Sequence, residues 1–282
     1  METGFKKRVG VLRGGAGKNY LSSIKNGGDI ILHISEKLGD KYKVVDILVD
    51  KDYIWHLSGI PINTSDLVNK VDVVWNTTHS SFSSILDSLD IPNVRISSFY
   101  SKLKNNRELL REHMKQIGLN TPRFVIAPKN AEVVFKKFGS PWIIKNSNEI
   151  KIIKTFNELA KNITGSDDLI VEEFIAGKVV SVHSVRKFRG EEIYVFPLGN
   201  SFSSFSFEEK EKIFTLVKDL NIYIGGMHYL KIDFILNPHG KVYLLQIDEM
   251  PDLNSDSHFS QVCEYVGAKP HHVIEHILEQ VL

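Results

Sequence analysis

Apolar residues follow two rhythms along this chain. Val9-Gly-Val-Leu12, Tyr42 to Val49 and Val71 to Trp75 are short, dense runs of the kind that make buried strands. Between the first two, Ile24, Ile30, Ile31, Ile34 and Leu38 lie on or near one helical face. Strand–helix–strand alternation over roughly the first ninety residues predicts a parallel, helix-covered sheet. Ligands of such sheets sit at the carboxyl ends of strands, and Arg13-Gly-Gly-Ala-Gly17 is at such an end. Gly17-Lys18 invites a phosphate-loop reading, which fails. The first glycine of that pattern would fall on Leu12, and the residue after the lysine is Asn19 rather than Ser or Thr. The loop is therefore expected to be a backbone turn.

Further along, Lys102 to Gln116 reads as one exposed basic helix, closed by Gly118 and Thr121-Pro122. Trp142–Lys145, Leu169–Ile175, Val179–Val185 and Ile193–Phe196 read as strands, and Phe156–Ile163 as a helix. Ser206 and Glu209 form a capping-box pattern ahead of Ile213, Phe214, Leu216, Val217 and Leu220. A last helix is expected over His271–Leu282. No internal repeat and no low-complexity linker interrupts the pattern, so domain boundaries must be tight, near residues 95 and 180.

The densest chemistry lies in Tyr229 to Pro251. Two strand-like runs flank Asn237-Pro238-His239-Gly240, a strong turn signal. With those four residues as the loop, Leu236 faces Lys241 and Asp233 faces Leu244. Alternation then puts Lys231, Asp233, Gln246 and Asp248 on one face. Two carboxylates and an amide suit a hard cation such as Mg²⁺, which keeps waters and shares phosphate oxygens. The alternative is a solvent-facing hairpin, polar on one side by default. A three- or five-residue loop would flip the parity and break the face.

Composition narrows the classes. The 282 residues can bury one large core or two to three smaller ones. The apolar fraction of 42% and charged fraction of 24% exclude a disordered chain. Net charge is +1, so there is no global attraction to nucleic acid or anionic lipid. The basic start lacks the apolar stretch of a signal peptide, and no apolar run has the length of a membrane span. The single cysteine, Cys263, excludes an internal disulfide and fits a cytoplasmic protein. His79, His183 and His271-His272 have no partner at metal-ligand spacing and read as surface or core fillers.

Taken together, these stretches resemble the ATP-grasp ligases, and within them the D-alanine–D-alanine ligases. The resemblance is carried by Val9 to Gly15 with Gly27, Ile117 to Pro122, Pro141 to Lys145, Ile170 to Gly177, Ile232-Asp233 and Tyr243 to Pro251, in that order and spacing. It covers nearly the whole chain. It implies an α/β ATP-grasp fold: residues 1–95 as an N-terminal Rossmann-like subdomain, 96–180 as the central ATP-grasp subdomain and 181–282 as the C-terminal one with the metal site. In that family ATP lies in a cleft between two α+β subdomains. Carried onto this chain, Arg107 and Lys145 meet phosphates, Glu172 accepts from the adenine amino group, and the backbone of Glu173 and Ile175 reads the adenine edge. Asp233, Gln246 and Asp248 hold Mg²⁺, with Mn²⁺ as an allowed substitute. Lys231 stands where the family has an arginine that stabilises the oxyanion of the tetrahedral intermediate, and Ser257 contacts the substrate carboxylate. The implied chemistry is ADP-forming: a carboxylate becomes an acyl phosphate, and an amine displaces the phosphate.

The departures are as informative. Gln246 and Asp248 replace glutamate and asparagine, and Val179 replaces a ribose-binding glutamate. Asn19 stands at the position of the glutamate that holds the substrate ammonium. Asn76-Thr-Thr-His-Ser80 replaces a glycine-rich substrate loop, and Asp252 replaces a glycine after Pro251. The lid after Lys145 is reduced to Asn146-Ser-Asn-Glu-Ile150, without glycine, and a second closing loop to the stretch between Pro197 and Ser206. Three functions are therefore carried forward: a ligase with D-alanine as default substrate, a ligase for another amino acid or peptide, and a non-catalytic protein that binds nucleotide or a partner. Expected partners are small molecules, with no nucleic acid and no membrane; a homodimer is left open.

Overall fold

The computed structural model describes residues 5–17, 19–146, 149–163, 165–197 and 204–282. In chain order the elements are β1 (Lys7–Gly14), α1 (Tyr20–Lys37), β2 (Tyr42–Val49), β3 (Trp55–Leu57), β4 (Ile60–Ile62), β5 (Val73–Asn76), α2 (Ser80–Ser88) and β6 (Asn93–Val94). Then come α3 (Ser98–Lys104), α4 (Arg107–Gln116), β7 (Phe124–Ile126), α5 (Ala131–Lys137), β8 (Trp142–Lys145), β9 (Ile150–Ile153) and α6 (Phe156–Asn162). The chain ends with β10 (Ile170–Glu173), β11 (Lys178–Arg186), β12 (Ile193–Val195), α7 (Phe207–Tyr223), β13 (Tyr229–Leu236), β14 (Val242–Asp248), α8 (His258–Tyr265) and α9 (Pro270–Val281). No helix among the described residues is long and apolar enough to cross a membrane.

Two compact units form. The larger holds the described residues of Met1–Leu110, Val182–Ile232 and Ile247–Leu282; the smaller holds those of Arg111–Ser181 and Asp233–Gln246. In the larger unit a six-stranded sheet runs β4-β3-β2-β1-β5-β6. β1 pairs parallel with β2 and β5, and β5 with β6, as the strand–helix alternation predicts. The edge hairpin of β3 and β4 is antiparallel and has no apolar rhythm to announce it. One sheet face packs Val9, Val11, Val73 and Trp75 against Ile30 and Ile34 of α1 and Ile274, Ile277 and Leu278 of α9. The other packs Leu12, Ile47 and Val74 against Leu67, Phe82 and Leu86.

The smaller unit is an antiparallel sheet, β7-β10-β8-β9, whose core is Val134, Phe138, Trp142, Ile144, Leu159 and Val171. A further sheet has the order β12-β11-β13-β14. The Arg186 N–H donates to the His228 carbonyl at 3.0 Å, which sets β11 antiparallel to β13 with His183 opposite Lys231.

Two expectations are corrected. The single helix over Lys102–Gln116 is two, α3 and α4. Asn106 breaks it by capping the second: its Oδ1 accepts from the Leu109 N–H at 3.0 Å. The hairpin loop is also not the four-residue one. Gly240 N–H donates to the Asn237 carbonyl and Asn237 N–H to the Lys241 carbonyl, with Gly240 at φ +72°. This is a turn followed by a glycine bulge, so Asn237, not Leu236, opposes Lys241.

Gly14 ends β1 at φ +92°, and a Cβ there would stand 2.1 Å from the Val49 carbonyl oxygen. Gly17, at φ +98°, has nothing within 4 Å. Gly14→Ala is expected to cost well over the strain of a positive φ, at least about 2–4 kcal/mol, because β2 backbone must move. Gly17→Ala should cost only about 1 kcal/mol. Urea denaturation of the two variants checks the contrast; equal losses would mean that β1 and β2 are not in this register.

Candidate active site

The larger unit contains a polar cavity of about 610 Å³. Its walls come from the start of α1 (Asn19, Ser22, Lys25, Asn26, Asp29), the turn after β5, the end of α3, and the strand ends that carry Lys231 and Asp248. The carboxyl end of β1 is closed by hydrogen bonds that run across this wall. Gly14 N–H donates to Ser23 Oγ at 2.9 Å, and Thr77 Oγ1–H donates to the Leu12 carbonyl at 2.9 Å. The turn that replaces a glycine-rich loop is held by one side chain. Asn76 Oδ1 accepts from Thr78 N–H and Oγ1–H, while its Nδ2 donates to the His79 carbonyl and Ser83 Oγ. Thr77, Thr78 and His79 face the cavity from a fixed turn.

Lys231 and Asp248 meet in this wall. Lys231 Nζ lies 3.7 Å from Asp248 Oδ2, both groups about two-thirds buried. Their meeting needs a second slip in register. Along β14 the buried residues are Val242, Leu244 and then Ile247, so alternation falls out of step by one at Leu245-Gln246. The glycine bulge shifts the pairing by one and this slip shifts it again. Asp248 therefore returns to the face of Lys231, as expected from sequence, by a route the sequence did not show.

Glu249, next in the chain, is a site residue that sequence reasoning missed. Burial pushes its carboxyl up to about 7, the Asp248 charge adding to this, while the Ser97 N–H bond and Lys104 oppose it. The Ser97 N–H donates to Glu249 Oε1 at 3.0 Å. Nothing in strand alternation marks Glu249, because its environment comes from α3, about 150 residues earlier in the chain.

One of the histidines read as fillers has specific partners in the core. His183 is fully buried, and its ring nitrogens lie 2.8 Å from Tyr229 Oη and 2.8 Å from His258 Nδ1. Burial first, then the charges of His258 and Lys231, hold His183 well below the usual imidazole range, so it is neutral. A neutral imidazole thus stands beside the Lys231 ammonium on the same sheet face.

Ser257 is the N-cap of α8. Its Oγ accepts from Ser260 N–H at 3.1 Å and donates to the Asp252 carbonyl at 2.7 Å. It is buried, and does not line the cavity, whereas Asp252 does. Arg107 opens α4, is half-buried and lines neither described cavity.

In the smaller unit Lys145 and Glu172 form an ion pair at 2.5 Å, with the Glu172 side chain 7% exposed. The register Lys145↔Ile170 and Ile143↔Glu172 makes them diagonal neighbours on one face. Glu173 turns its side chain to Arg123 through two bonds of 2.9 and 2.6 Å, and this pairing holds its carboxyl below the usual range. The Glu173 N–H donates to the Arg123 carbonyl at 2.8 Å. Ile175 is buried. Asp233 accepts the Ser181 hydroxyl at 2.5 Å, and Gln246 is exposed. Across the stretch expected to be a lid, Asn146 N–H donates to the Glu149 carbonyl at 3.0 Å. Ser147-Asn148 and most of the second loop lie outside the described residues.

Residues 202–279 match the family model described as D-ala D-ala ligase C-terminus. The D-alanine–D-alanine ligase B of Clostridium perfringens is 21% identical, over 98% of this chain and 98% of its own. The D-alanine–D-alanine ligase of Christiangramia forsetii is 26% identical over 63% of each chain. Among solved structures, the VanG D-Ala:D-Ser ligase from Enterococcus faecalis superposes with a TM-score of 0.74 at 16% identity, covering 98% of this chain and 100% of its own. D-alanyl-alanine synthetase A from Vibrio cholerae gives 0.75 at 17% identity, covering 98% of each. The Bacillus anthracis D-alanine–D-alanine ligase complexed with ATP gives 0.68 at 19%, covering 97% of this chain and 96% of its own. The chain therefore has the ATP-grasp fold. Within that class it resembles the D-alanine–D-alanine ligases, and residues 202–279 match the model of their C-terminal part. It is also the trimmer version: 98% of 282 residues is about 276, so about 38 of the 314 positions aligned with the Clostridium perfringens enzyme hold residues of that relative alone.

Proposed function

We propose that this chain is an ATP-dependent, ADP-forming carboxylate–amine ligase of the D-alanine–D-alanine ligase type, working in the cytoplasm on small amino-acid substrates. The observation that carries the reading is the Lys231–Asp248 pair, 3.7 Å apart, on the wall of a polar cavity of about 610 Å³. A cation placed there suits a reaction that builds negative charge twice, once at the transferring phosphoryl group and once at the acyl carbon.

Each residue has a definable task. A substrate carboxylate attacks the γ-phosphate, and the Lys145 ammonium, free to turn from Glu172 to phosphate oxygens, offsets their charge. An amine then attacks the acyl phosphate, the C–O bond to phosphate breaks, and Lys231 stabilises the oxyanion formed on the way. Glu172 and the Glu173 carbonyl accept from the adenine amino group, and the Ile175 N–H donates to the ring. Arg107 adds positive charge. Asn19, Thr77, Thr78 and His79 supply polar contacts to the amino-acid substrate. The cap role of Ser257 leaves its hydroxyl to set the Asp252 turn.

Asp233, Gln246 and Asp248 would hold Mg²⁺. Their donor chemistry fits: two carboxylates and an amide are hard oxygen ligands. Among the described residues no group of three His, Cys, Asp or Glu converges; substrate phosphates and waters would supply the remaining ligands of Mg²⁺. Bound there, Mg²⁺ would neutralise charge on the phosphates. Asp233→Asn should weaken ADP binding more with Mg²⁺ than in EDTA, measured by calorimetry. Equal affinities under all four conditions would remove these residues from the metal site.

The test of the activity itself is ADP release over a panel of D- and L-amino acids and dipeptides, with ATP·Mg²⁺ binding measured alongside. D-alanine is the first substrate to try. Turnover should fall below the enzyme-typical value of about 10 per second, because closing loops exclude water from an acyl phosphate and this chain has trimmed them. ATP binding without ADP release on any member of the panel would leave a nucleotide-binding protein and sink the ligase reading.

A further inference from the structure

The larger unit has a second cavity, of about 430 Å³, that the ligase reading does not use. It is walled by α2 (Ser80, Ser83, Ser84, Asp87), by the segment Arg95 to Phe99, by Arg186 of β11 and by Ile224 to His228. Its chemistry is unusual for a surface recess: two guanidinium groups, one imidazole and a row of serine hydroxyls.

Arg95, Arg186 and His228 line this one wall, and both guanidinium charges act on the His228 imidazole. Burial, then Arg186, His276, Arg95 and Lys187, hold it down to about 4. Arg95 pairs with the exposed Asp87 at 3.1 Å; Arg186 pairs with the exposed Glu192 at 3.2 Å and donates through Nη1 to the Gly226 carbonyl at 3.4 Å. Exposed bridges of this kind are worth little, and a guanidinium has five N–H donors, of which a carboxylate takes two at most. Arg186 also lies flat against Gly226. A Cβ there would stand 3.2 Å from its Nη1, so a side chain at this position would crowd the guanidinium. Asp87 is the one acid in the wall, and it is already matched by Arg95 and by Asn93 Nδ2–H at 2.9 Å. The balance of the recess is positive.

We propose that this cavity is a binding site for a small phosphate-type oxyanion, held by Arg95 and Arg186 with His228 and the α2 serines completing its hydrogen bonds. A guanidinium fork recognises phosphate oxygens bidentately, and two such forks line this cavity. The site lies wholly within one compact unit and does not depend on the ligase reading. It is nevertheless connected to the first cavity: Ile96 lines both, and Ser97, in this wall, holds Glu249.

Calorimetric titration of the full chain with inorganic phosphate tests it. Binding is expected with a dissociation constant on the order of 1 mM. Arg95→Gln and Arg186→Gln should each weaken it by about tenfold or more, and Arg186→Lys should recover only part of the loss, because lysine keeps charge but not the fork. The His228 imidazole, followed by NMR, should titrate at higher pH with phosphate present, since an adjacent anion favours its protonated form. An ADP arm distinguishes the source of the phosphate group. Loss of ADP binding in Arg186→Gln would mean a nucleotide phosphate, and ADP binding indifferent to that change would mean free phosphate. No phosphate binding up to about 50 mM, or binding unchanged in both glutamine variants with an unmoved His228, overturns the proposal. Both arginines are at least one-third exposed, so the variants are expected to fold, and their thermal melts serve as the control.

Discussion

Lys231→Met should lower the ligation rate by roughly 10²–10³, the loss typical of one oxyanion donor, while changing ATP affinity far less. The ammonium stands beside Asp248, opposite neutral His183, on the wall of the polar cavity. A neutral neighbour on one side leaves Lys231 as the positive group of that row. Its effect should therefore be largest where negative charge grows during reaction and smaller in the ground state. If Lys231 merely holds phosphates, the substitution would weaken ATP binding by as much as it slows turnover. An unchanged ligation rate would exclude the catalytic role. Lys231→Arg adds information of a different kind, since a guanidinium is a planar fork and an ammonium a point charge. A faster arginine variant would mean that the site keeps the geometry of its relatives. A dead one would mean that it has been rebuilt around lysine, Asp248 and His183.

The second large effect is expected at Lys145. Lys145→Met should abolish measurable ATP binding and also destabilise the smaller unit by about 2–4 kcal/mol, since it removes the ammonium that pairs with the buried Glu172 carboxylate. The two consequences can be separated. Adding Glu172→Gln to Lys145→Met removes the other charge of the pair, so the double variant should recover at least half of the lost stability without recovering ATP binding. Chemical denaturation followed by near-ultraviolet signals from Trp142, buried in that unit's core, gives the first readout, and calorimetry the second. A double variant no more stable than the single one would show that the pair is a surface bridge of little worth. Intact ATP binding in either would remove Lys145 from the nucleotide site.

Much of the scaffold was legible in the sequence because it rests on local rules. Tyr42–Val49 and Trp142–Lys145 form strands at the predicted residues, and Ser206 with Glu209 makes the predicted capping box. Dense apolar runs and cap residues act within a few positions, so one sequence suffices to read them. The short elements were not legible. β9 is mostly exposed, and α2 and α5 are too brief for a periodicity to stand out. The helix break at Asn105-Asn106 was missed because basic residues continue on both sides of it.

The candidate site divides in the same way. Sequence alone determined which residue types were present: a lysine, two aspartates and a glutamine on two strands joined by a turn. It also determined a lysine at one strand end with a glutamate pair on another, and a chain short of its relatives' loops. Tertiary structure decided what those residues do to one another. Asp248 reaches Lys231 only because a glycine bulge at the turn and a slip at Leu245-Gln246 cancel, and alternation counts residues without seeing either. Lys145 meets Glu172 through a diagonal sheet register, Glu249 accepts a hydrogen bond from the start of a distant helix, and His183 finds His258 across 75 positions. The physical reason is one of range. Backbone periodicity is set by neighbours along the chain, whereas charge state, ion pairing and hydrogen-bond partners are set by whatever the fold brings within about 4 Å.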